Sequence, residues 1–269
     1  MASFTHQITN RSTTDPKPNR GWLAKGVASL LGFGILWGLA SVWLADPDLL
    51  PSPSVVAQVF WSELRSGEMT VHMLATLARV VAAFVLAMSV GAVLGVIIGR
   101  KPNVDAWVSP WLIIFLNLPA LVVIVLCYLW IGLSEVAAIT AVAINKIPMI
   151  AVMMREGARA LDPALDDMTQ AFRIPPAARW QHVIVPQLAP HLASAGRAGF
   201  ALIWKIVLVV EFLGRSNGVG FQIHTYFQLF DVARILAYAF GFIMIMLMVE
   251  YMVVQPWERS VSRWRRYAN

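Results

Sequence analysis

The stretch LATLARVVAAFVLAMSVGAVLGVIIG, residues 74–99, decides the fold class of this chain. It carries one charged residue, Arg79, close to its start, and nearly all of its other residues are apolar or glycine. A helix needs roughly 20 mostly apolar residues to cross the hydrocarbon core of a bilayer. The stretch is long enough and therefore predicts a membrane-spanning helix. Gly91, Gly95 and Gly99 recur every four residues and predict close packing against a neighbouring helix backbone.

Five further stretches share this apolar character. With the first they predict six spans, at about 23–45, 74–99, 108–131, 134–154, 191–213 and 234–256. The whole chain of 269 residues is 58% hydrophobic and 13% charged, with a mean hydropathy of +0.67. Such a composition offers too little polar surface to cover a water-soluble domain. The predicted fold class is an all-α membrane protein with about six transmembrane helices.

The basic residues predict how the chain is oriented in the membrane. The net charge is +6, yet most basic residues lie in short segments between apolar stretches, which is the positive-inside pattern rather than a nucleic-acid surface. Both termini are then expected in the cytoplasm. Residues 1–22 form a polar tail that we expect to be cytoplasmic and disordered, and 23–269 form the transmembrane domain. The basic segment 259–266 is expected to anchor in lipid headgroups.

The longest interior break in apolarity lies within residues 156–190 and contains LDPALDDMTQAFRIPPAARWQHVIVPQLAP. Its apolar residues keep helical spacing, and two adjacent prolines suit the first turn of a second helix. The segment therefore predicts a cytoplasmic helix–turn–helix with an apolar stripe. That stripe must be buried either on the chain's own helices or in a groove of a partner protein, and both remain open. Its members are Leu165, Met168, Ala171, Phe172, Trp180, Val183 and Ile184.

This loop resembles the EAA loop of ABC importer permeases, which reads Glu-Ala-Ala, three residues, Gly, and then a distal Ile-x-Leu-Pro. Asp167 stands at the acidic position and Arg173 at the glycine. Because arginine tolerates positive φ poorly, we expect Pro175 and Pro176 to shape the helix junction instead. The resemblance implies that the loop couples the chain to an ATPase. The residues that it assigns to coupling are Asp167, Met168, Thr169, Ala171, Phe172, Arg173, Ile174, Trp180, Val183 and Pro186.

The resemblance extends over nearly the whole chain after the tail. PSPSVVAQVF (51–60), HMLATLARVVAAFVLAMSVGAVLGVIIGR (72–100), VVEFLGRSNGVGFQI (209–223) and ERSVSRWRR (258–266) are similar to the nitrate, sulfonate, taurine and bicarbonate branch of these permeases. The resemblance implies a type I ABC importer permease in a bacterial inner membrane. Its implied partners are a second copy of the chain, two ATP-binding ATPase subunits and an extracytoplasmic solute-binding protein. The implied function is the import of a small, anionic solute.

Charges are costly inside a membrane span, and three of the charged residues in the predicted spans indicate a candidate pathway. Lys146 lies in the fourth span, and Lys205 and Glu211 lie in the fifth. With Asn145 they are the residues that we expect to line a translocation pathway for an anion. The alternative is a structural ion pair. Lys205 and Glu211 are poorly placed to pair directly, because six residues of helix separate them by about 9 Å, but a partner on another helix stays possible.

The sequence gives no sign of catalysis, and we expect no catalytic site, cofactor or metal. It contains no G-x-x-x-x-G-K-[ST] phosphate loop, so ATP hydrolysis is expected on separate subunits. Cys127 is the single cysteine of the chain. The glycine-rich segment from Gly214 to Gly220 is expected at the outer mouth of the bundle. Two other classes compete with an ABC permease: a secondary transporter driven by an ion gradient, and a membrane scaffold or channel.

Overall fold

The computed structural model describes residues 20–262, and every regular element in that range is a helix. Residues 1–19 of the predicted tail and 263–266 of the basic segment lie outside the described residues. The first helix begins three residues before the domain boundary predicted at residue 23. The helices are α1 (Arg20–Leu44), α2 (Pro53–Ser66), α3 (Glu68–Arg100), α4 (Pro102–Asn117), α5 (Ala120–Ile131), α6 (Glu135–Arg159), α7 (Pro163–Ala171), α8 (Pro176–Arg179), α9 (Val185–Gly214), α10 (Val219–Gln228), α11 (Val232–Val249) and α12 (Gln255–Ser262).

The chain divides after Ser54 into two units, and the first contains α1. The segment that follows α1 turns back onto the helix through two hydrogen bonds. The indole Nε1 of Trp37 donates to the carbonyl of Pro51 over 3.1 Å, and the hydroxyl of Ser41 donates to the carbonyl of Leu50 over 2.9 Å. Each of these bonds gives a backbone carbonyl group outside the helices a hydrogen-bond donor.

The core of the second unit is the contact between α3 and α6, which run parallel. A Cβ added to Gly91 would lie 2.8 Å from Cβ of Ile150, and one added to Gly99 would lie 2.6 Å from the carbonyl oxygen of Arg155. The two backbones are thus too close for any side chain at these glycines. The close packing predicted from the four-residue glycine spacing is confirmed.

The long helix α9 packs against α6 in the opposite direction. His191, near the start of α9, faces Gly157 near the end of α6, while Gly199 lies further along α9 beside Ile150. The helices α3 and α6 therefore end where α9 begins. Because of this arrangement, the segment from 160 to 184 joins two helix ends that lie at the same side of the bundle.

Three described helices are long and apolar enough to cross a membrane: α3 (Glu68–Arg100), α6 (Glu135–Arg159) and the continuous helix Val232–Trp257. The last of these joins α11 through a π-helical turn, Glu250–Val254, to the start of α12. The stretch predicted as one span at 108–131 is instead two helices, α4 and α5, which meet at 98°. Pro119 at this junction has no N–H to donate, and the side chain of Asn117 donates to the carbonyl of Ile113 over 2.8 Å. The described range thus holds up to four spans by length and composition, and the count of six stays a prediction.

Candidate functional site

The segment between α6 and α9 folds as two short helices around a turn. Asp162 caps α7, because its Oδ1 accepts from the amide of Ala164 over 2.9 Å, and Pro163 occupies the first helical position. The turn closes where the amide of Ile174 donates to the carbonyl of Thr169 over 2.9 Å. The second helix, α8, begins at Pro176 and passes through a π-helical turn, Trp180–Ile184, directly into α9.

Arg173 forms this turn with a φ of 48°, in the left-handed region that favours glycine. The expectation that the adjacent prolines would replace a left-handed residue was wrong. Pro175 and Pro176 do start α8, but the chain reverses at Arg173. A left-handed non-glycine residue costs about 1 kcal/mol or slightly more. The backbone at the glycine position of the motif therefore keeps the glycine conformation even though the side chain is arginine.

The loop has an inner and an outer face. Thr169 and Ile184 are buried, and Ile174, Val183 and Pro186 are half-buried. Phe172 is 77% exposed and Trp180 is 48% exposed, so two large apolar side chains stand on the outer face. The apolar stripe predicted from the sequence is thus divided between the chain's own helices and solvent. The other residues assigned to coupling are exposed: Asp167, Met168, Ala171 and Arg173.

An ionic bridge holds the loop against the end of α3. One oxygen of Asp166 lies 2.8 Å from Nη2 of Arg179, and the other lies 3.2 Å from Nη2 of Arg100. Hydrogen bonding to Arg179 lowers the pKa of the Asp166 carboxyl, and the charge of Arg100 lowers it further. The carboxylate is therefore charged at neutral pH. We call Arg100, Asp166 and Arg179 the Asp166 bridge.

The four residues expected along a translocation pathway do not form one cluster. Asn145 and Lys146 are half-buried within α6. Lys205 is exposed on α9, and its Nζ lies 5.5 Å from the ring centroid of Trp204. Between α9 and α11 it borders a groove of about 200 Å³, which also contacts Phe200, Ile243, Met246 and Glu250. Glu211 lies elsewhere on α9 and is fully buried.

The buried partner of Glu211 is Arg79, which the sequence placed in the end turn of a span. Nη1 of Arg79 donates to Oε1 of Glu211 over 2.6 Å, and both side chains are almost inaccessible, at 4% and 0% exposed. The same guanidinium donates to both carboxylate oxygens of Glu135 at the start of α6, over 2.7 and 2.6 Å. It also donates to the carbonyl of Asn217 over 2.9 Å and to the side-chain oxygen of that residue. Arg79 thus connects α3, α6, α9 and the segment before α10.

The glycine-rich segment wraps around the Glu211 carboxylate. The amide of Gly220 donates to Oε2 of Glu211 over 2.9 Å, and the hydroxyl of Thr76 donates to the same oxygen over 2.9 Å. The amide of Gly218 donates to Nδ1 of His72 over 3.0 Å. A Cβ added to Gly218 would lie 2.4 Å from Cδ of Glu211, and its φ is 110°. Glycine is required here because the loop passes directly over the carboxylate.

This buried cluster was missed because its members come from three separate parts of the sequence, around residues 72–79, at Glu135 and at 211–220. Two signals could have indicated it: a single arginine five residues into the apolar stretch 74–99, and an acidic residue close to a glycine-rich segment. Buried charges are stable only when paired, so each implies a partner. Among the described residues, no group of three His, Cys, Asp or Glu side chains is placed to bind a metal ion.

Residues 91–257 match the family of binding-protein-dependent transport system inner membrane components. The aliphatic sulfonates transport permease protein SsuC of Escherichia coli (strain K12) is 30% identical over 212 residues, which cover 76% of this chain and 79% of that protein. SsuC of Bacillus subtilis (strain 168) is 24% identical over 260 residues, or 96% and 94% of the two chains. A chain of the inward-facing MetNI methionine ABC transporter superposes with a TM-score of 0.64 at 16% identity, over 74% of this chain and 98% of that one.

Helices long and apolar enough to cross a membrane define the described part of the chain as a multi-pass membrane protein. The chain belongs to the family of binding-protein-dependent transport system inner membrane components. Its resemblance to the nitrate, sulfonate and taurine branch of ABC importer permeases is confirmed. The family and the relatives that match are transport components.

Proposed function

We propose that this chain is the membrane-spanning permease subunit of an ATP-driven importer that moves a small anionic solute into the cytoplasm. Two copies of the chain would pair with two ATPase subunits on the cytoplasmic side and with a solute-binding protein on the outer side. The observation that best supports this proposal is that Phe172 and Trp180 are exposed on a loop that an ion pair holds to α3. Large exposed apolar side chains on a structured loop are typical of a protein interface.

The distribution of charge supports a cytoplasmic position for the loop. Because α3 and α6 are parallel and α9 is antiparallel to them, Arg100, Arg159 and Arg179 all lie at one end of the bundle. Clustered arginines at helix ends mark the cytoplasmic side. Arg79 lies 21 residues before Arg100 on α3, about 30 Å along the helix, which is the thickness of the hydrocarbon core. The Arg79 cluster then lies near the outer surface. An orientation with both termini in the cytoplasm is part of this proposal.

The loop geometry supports coupling to an ATPase. Phe172 follows α7 directly and precedes the left-handed turn at Arg173, so the backbone fixes the direction of its Cα–Cβ bond. Trp180 stands after α8, on a helix continuous with α9. A groove on the ATPase that receives both rings could therefore move α9 as well as the loop. ATP-driven closure of the ATPase pair would bring the two loops together and rock the helix bundles between inward-open and outward-open states.

Lys205 supports both a second copy and an anionic solute. It is exposed well inside α9, and an unshielded cation at that depth is costly in lipid. The face of α9 that carries Lys205 should therefore meet protein or water rather than hydrocarbon. A second copy across this face would enclose a water-filled path with a cation from each subunit. The relatives named for aliphatic sulfonates favour a sulfonate as the anion, with Lys146 as a further cation along the path.

The experiment that tests the coupling assignment is copurification of the detergent-solubilised chain with its ATPase subunit. We expect the unmodified chain to retain the ATPase and a Phe172→Asp variant to lose it. A Gln170→Asp variant is the matched control, because it adds the same charge to an exposed position of α7. Equal retention by the Phe172→Asp variant and the control would contradict the assignment.

A further inference from the structure

The loop reaches α3 through the Asp166 bridge rather than through the chain itself. By sequence it continues directly from α6 and into α9, so any motion of the loop passes to those two helices through covalent bonds. The helix α3 ends at Arg100, and 62 residues separate that end from the start of α7. The ion pair between Asp166 and Arg100 connects these two parts of the chain, which are far apart in sequence.

We propose that Asp166 is a positioning residue that transmits movement of the loop to α3, so that α3, α6 and α9 move as one body during transport. This inference rests on the proposed function, because it assigns a route for the force that an ATPase would apply to the loop. Its basis is the position of one carboxylate between two guanidinium groups that belong to different elements.

The geometry explains why a carboxylate is needed. Each oxygen of Asp166 accepts from a different arginine: one from Arg179 on α8 and one from Arg100 on α3. Both helices of the loop are thus held together and to α3 by the same side chain. An asparagine has one oxygen, and its amide group would point N–H donors at the second guanidinium. The Asp166→Asn change therefore removes one contact and replaces it by a repulsive one.

The other contacts of α3 would pass such a movement on to α6 and α9. At Gly99 the backbone lies against that of α6. About 30 Å away on α3, Arg79 holds Glu135 of α6 and Glu211 of α9. A displacement applied at Arg100 reaches the Arg79 cluster through one continuous helix. The two ion-pair clusters thus hold α3 at its last residue, Arg100, and 21 residues earlier, at Arg79.

The test uses the complete complex of permease, ATPase and binding protein in proteoliposomes, and it measures solute taken up per ATP hydrolysed. We expect the Asp166→Asn complex to copurify with the ATPase and to hydrolyse ATP, while uptake per ATP falls about fivefold, the population change that one small ion-pair network can produce. An Asp166→Glu variant should restore the ratio. The control is Glu156→Gln, since Glu156 pairs with Arg155 and Arg159 within α6.

A cross-link gives an independent readout. In a Cys127→Ala background, Arg100→Cys with Asp166→Cys removes the bridge, and a short bifunctional thiol reagent reconnects the two positions. The proposal predicts low uptake per ATP before the reagent is added and recovery after it. A cross-link that leaves the ratio low, or an Asp166→Asn complex with an unchanged ratio, would overturn it. Loss of ATPase copurification in Asp166→Asn alone would also overturn it, whereas failure of the unmodified chain to retain the ATPase would contradict the proposed function itself.

Discussion

Arg79 on α3 and Glu211 on α9 form a buried ion pair, with Nη1 and Oε1 2.6 Å apart. Neither charge is exposed to solvent, and every oxygen of the Glu211 carboxylate accepts a hydrogen bond. Breaking such a pair by removing one partner leaves an uncompensated charge in a poorly solvated place. The relationship gives Glu211 a structural role in this conformation and leaves Lys146 and Lys205 as the cations proposed for the pathway.

Replacing Glu211 by Gln should destabilise the bundle by about 3 kcal/mol, because Arg79 loses its most deeply buried partner. The measurement is thermal unfolding of the purified protein in detergent. Glu135→Gln is the matched control, since the side chain of Glu135 is 49% exposed and water can replace part of its contact with Arg79. We expect the smaller loss of stability in this control, and the reverse order would contradict the structural role of the Arg79–Glu211 pair.

Gly220→Ala should disrupt the packing of the glycine-rich segment from Gly214 to Gly220 against α9. The added methyl group would lie 2.2 Å from the backbone carbonyl oxygen of Leu208, which cannot move without distorting α9. Overpacking of this kind costs about 1–3 kcal/mol. Thermal stability is again the readout, and Gly34→Ala is the control because no described atom lies within 4 Å of its added Cβ. Equal stability of the Gly220→Ala and Gly34→Ala variants would show that the segment does not pack as described.

Arg173 offers a test of the loop backbone that does not depend on charge. Glycine adopts the left-handed conformation without steric cost, so Arg173→Gly should retain ATPase copurification at the level of the unmodified chain. Arg173→Val should lose it, because β-branched residues are strongly disfavoured at positive φ. If both variants lost the ATPase equally, the arginine side chain rather than the turn would be the feature that the partner requires.

Lys205→Met should reduce uptake of an anionic solute about tenfold, which corresponds to the loss of one charged hydrogen bond of roughly 1.5 kcal/mol. Assembly with the ATPase should be unchanged, because Lys205 lies on α9 far from the loop. Lys101→Met, at an exposed position next to the end of α3, is the control. Normal uptake by a normally assembled Lys205→Met complex would exclude Lys205 from the pathway.

The helical class and the long apolar helices α3, α6 and α11 could be predicted, because apolar length and periodicity are local properties of the sequence. The close contact of α3 with α6 was also predictable from its glycine spacing. The Arg79 cluster was not, since its burial depends on the meeting of α3, α6, α9 and the segment before α10. The turn at Arg173 was misjudged for a related reason: surrounding contacts impose a left-handed conformation that arginine does not favour alone. The bend at Pro119 divides a stretch of continuous hydropathy into two helices. It could not be predicted because hydropathy carries no information on the direction of a helix axis.

The most direct test of an ATP-driven importer is uptake of labelled small anions, alkanesulfonates first, into proteoliposomes that contain the permease, its ATPase and its binding protein. We expect uptake that requires ATP hydrolysis and that a Phe172→Asp loop variant abolishes. Uptake that persists with a hydrolysis-deficient ATPase and collapses when an ion gradient is dissipated would contradict it and would indicate a secondary transporter.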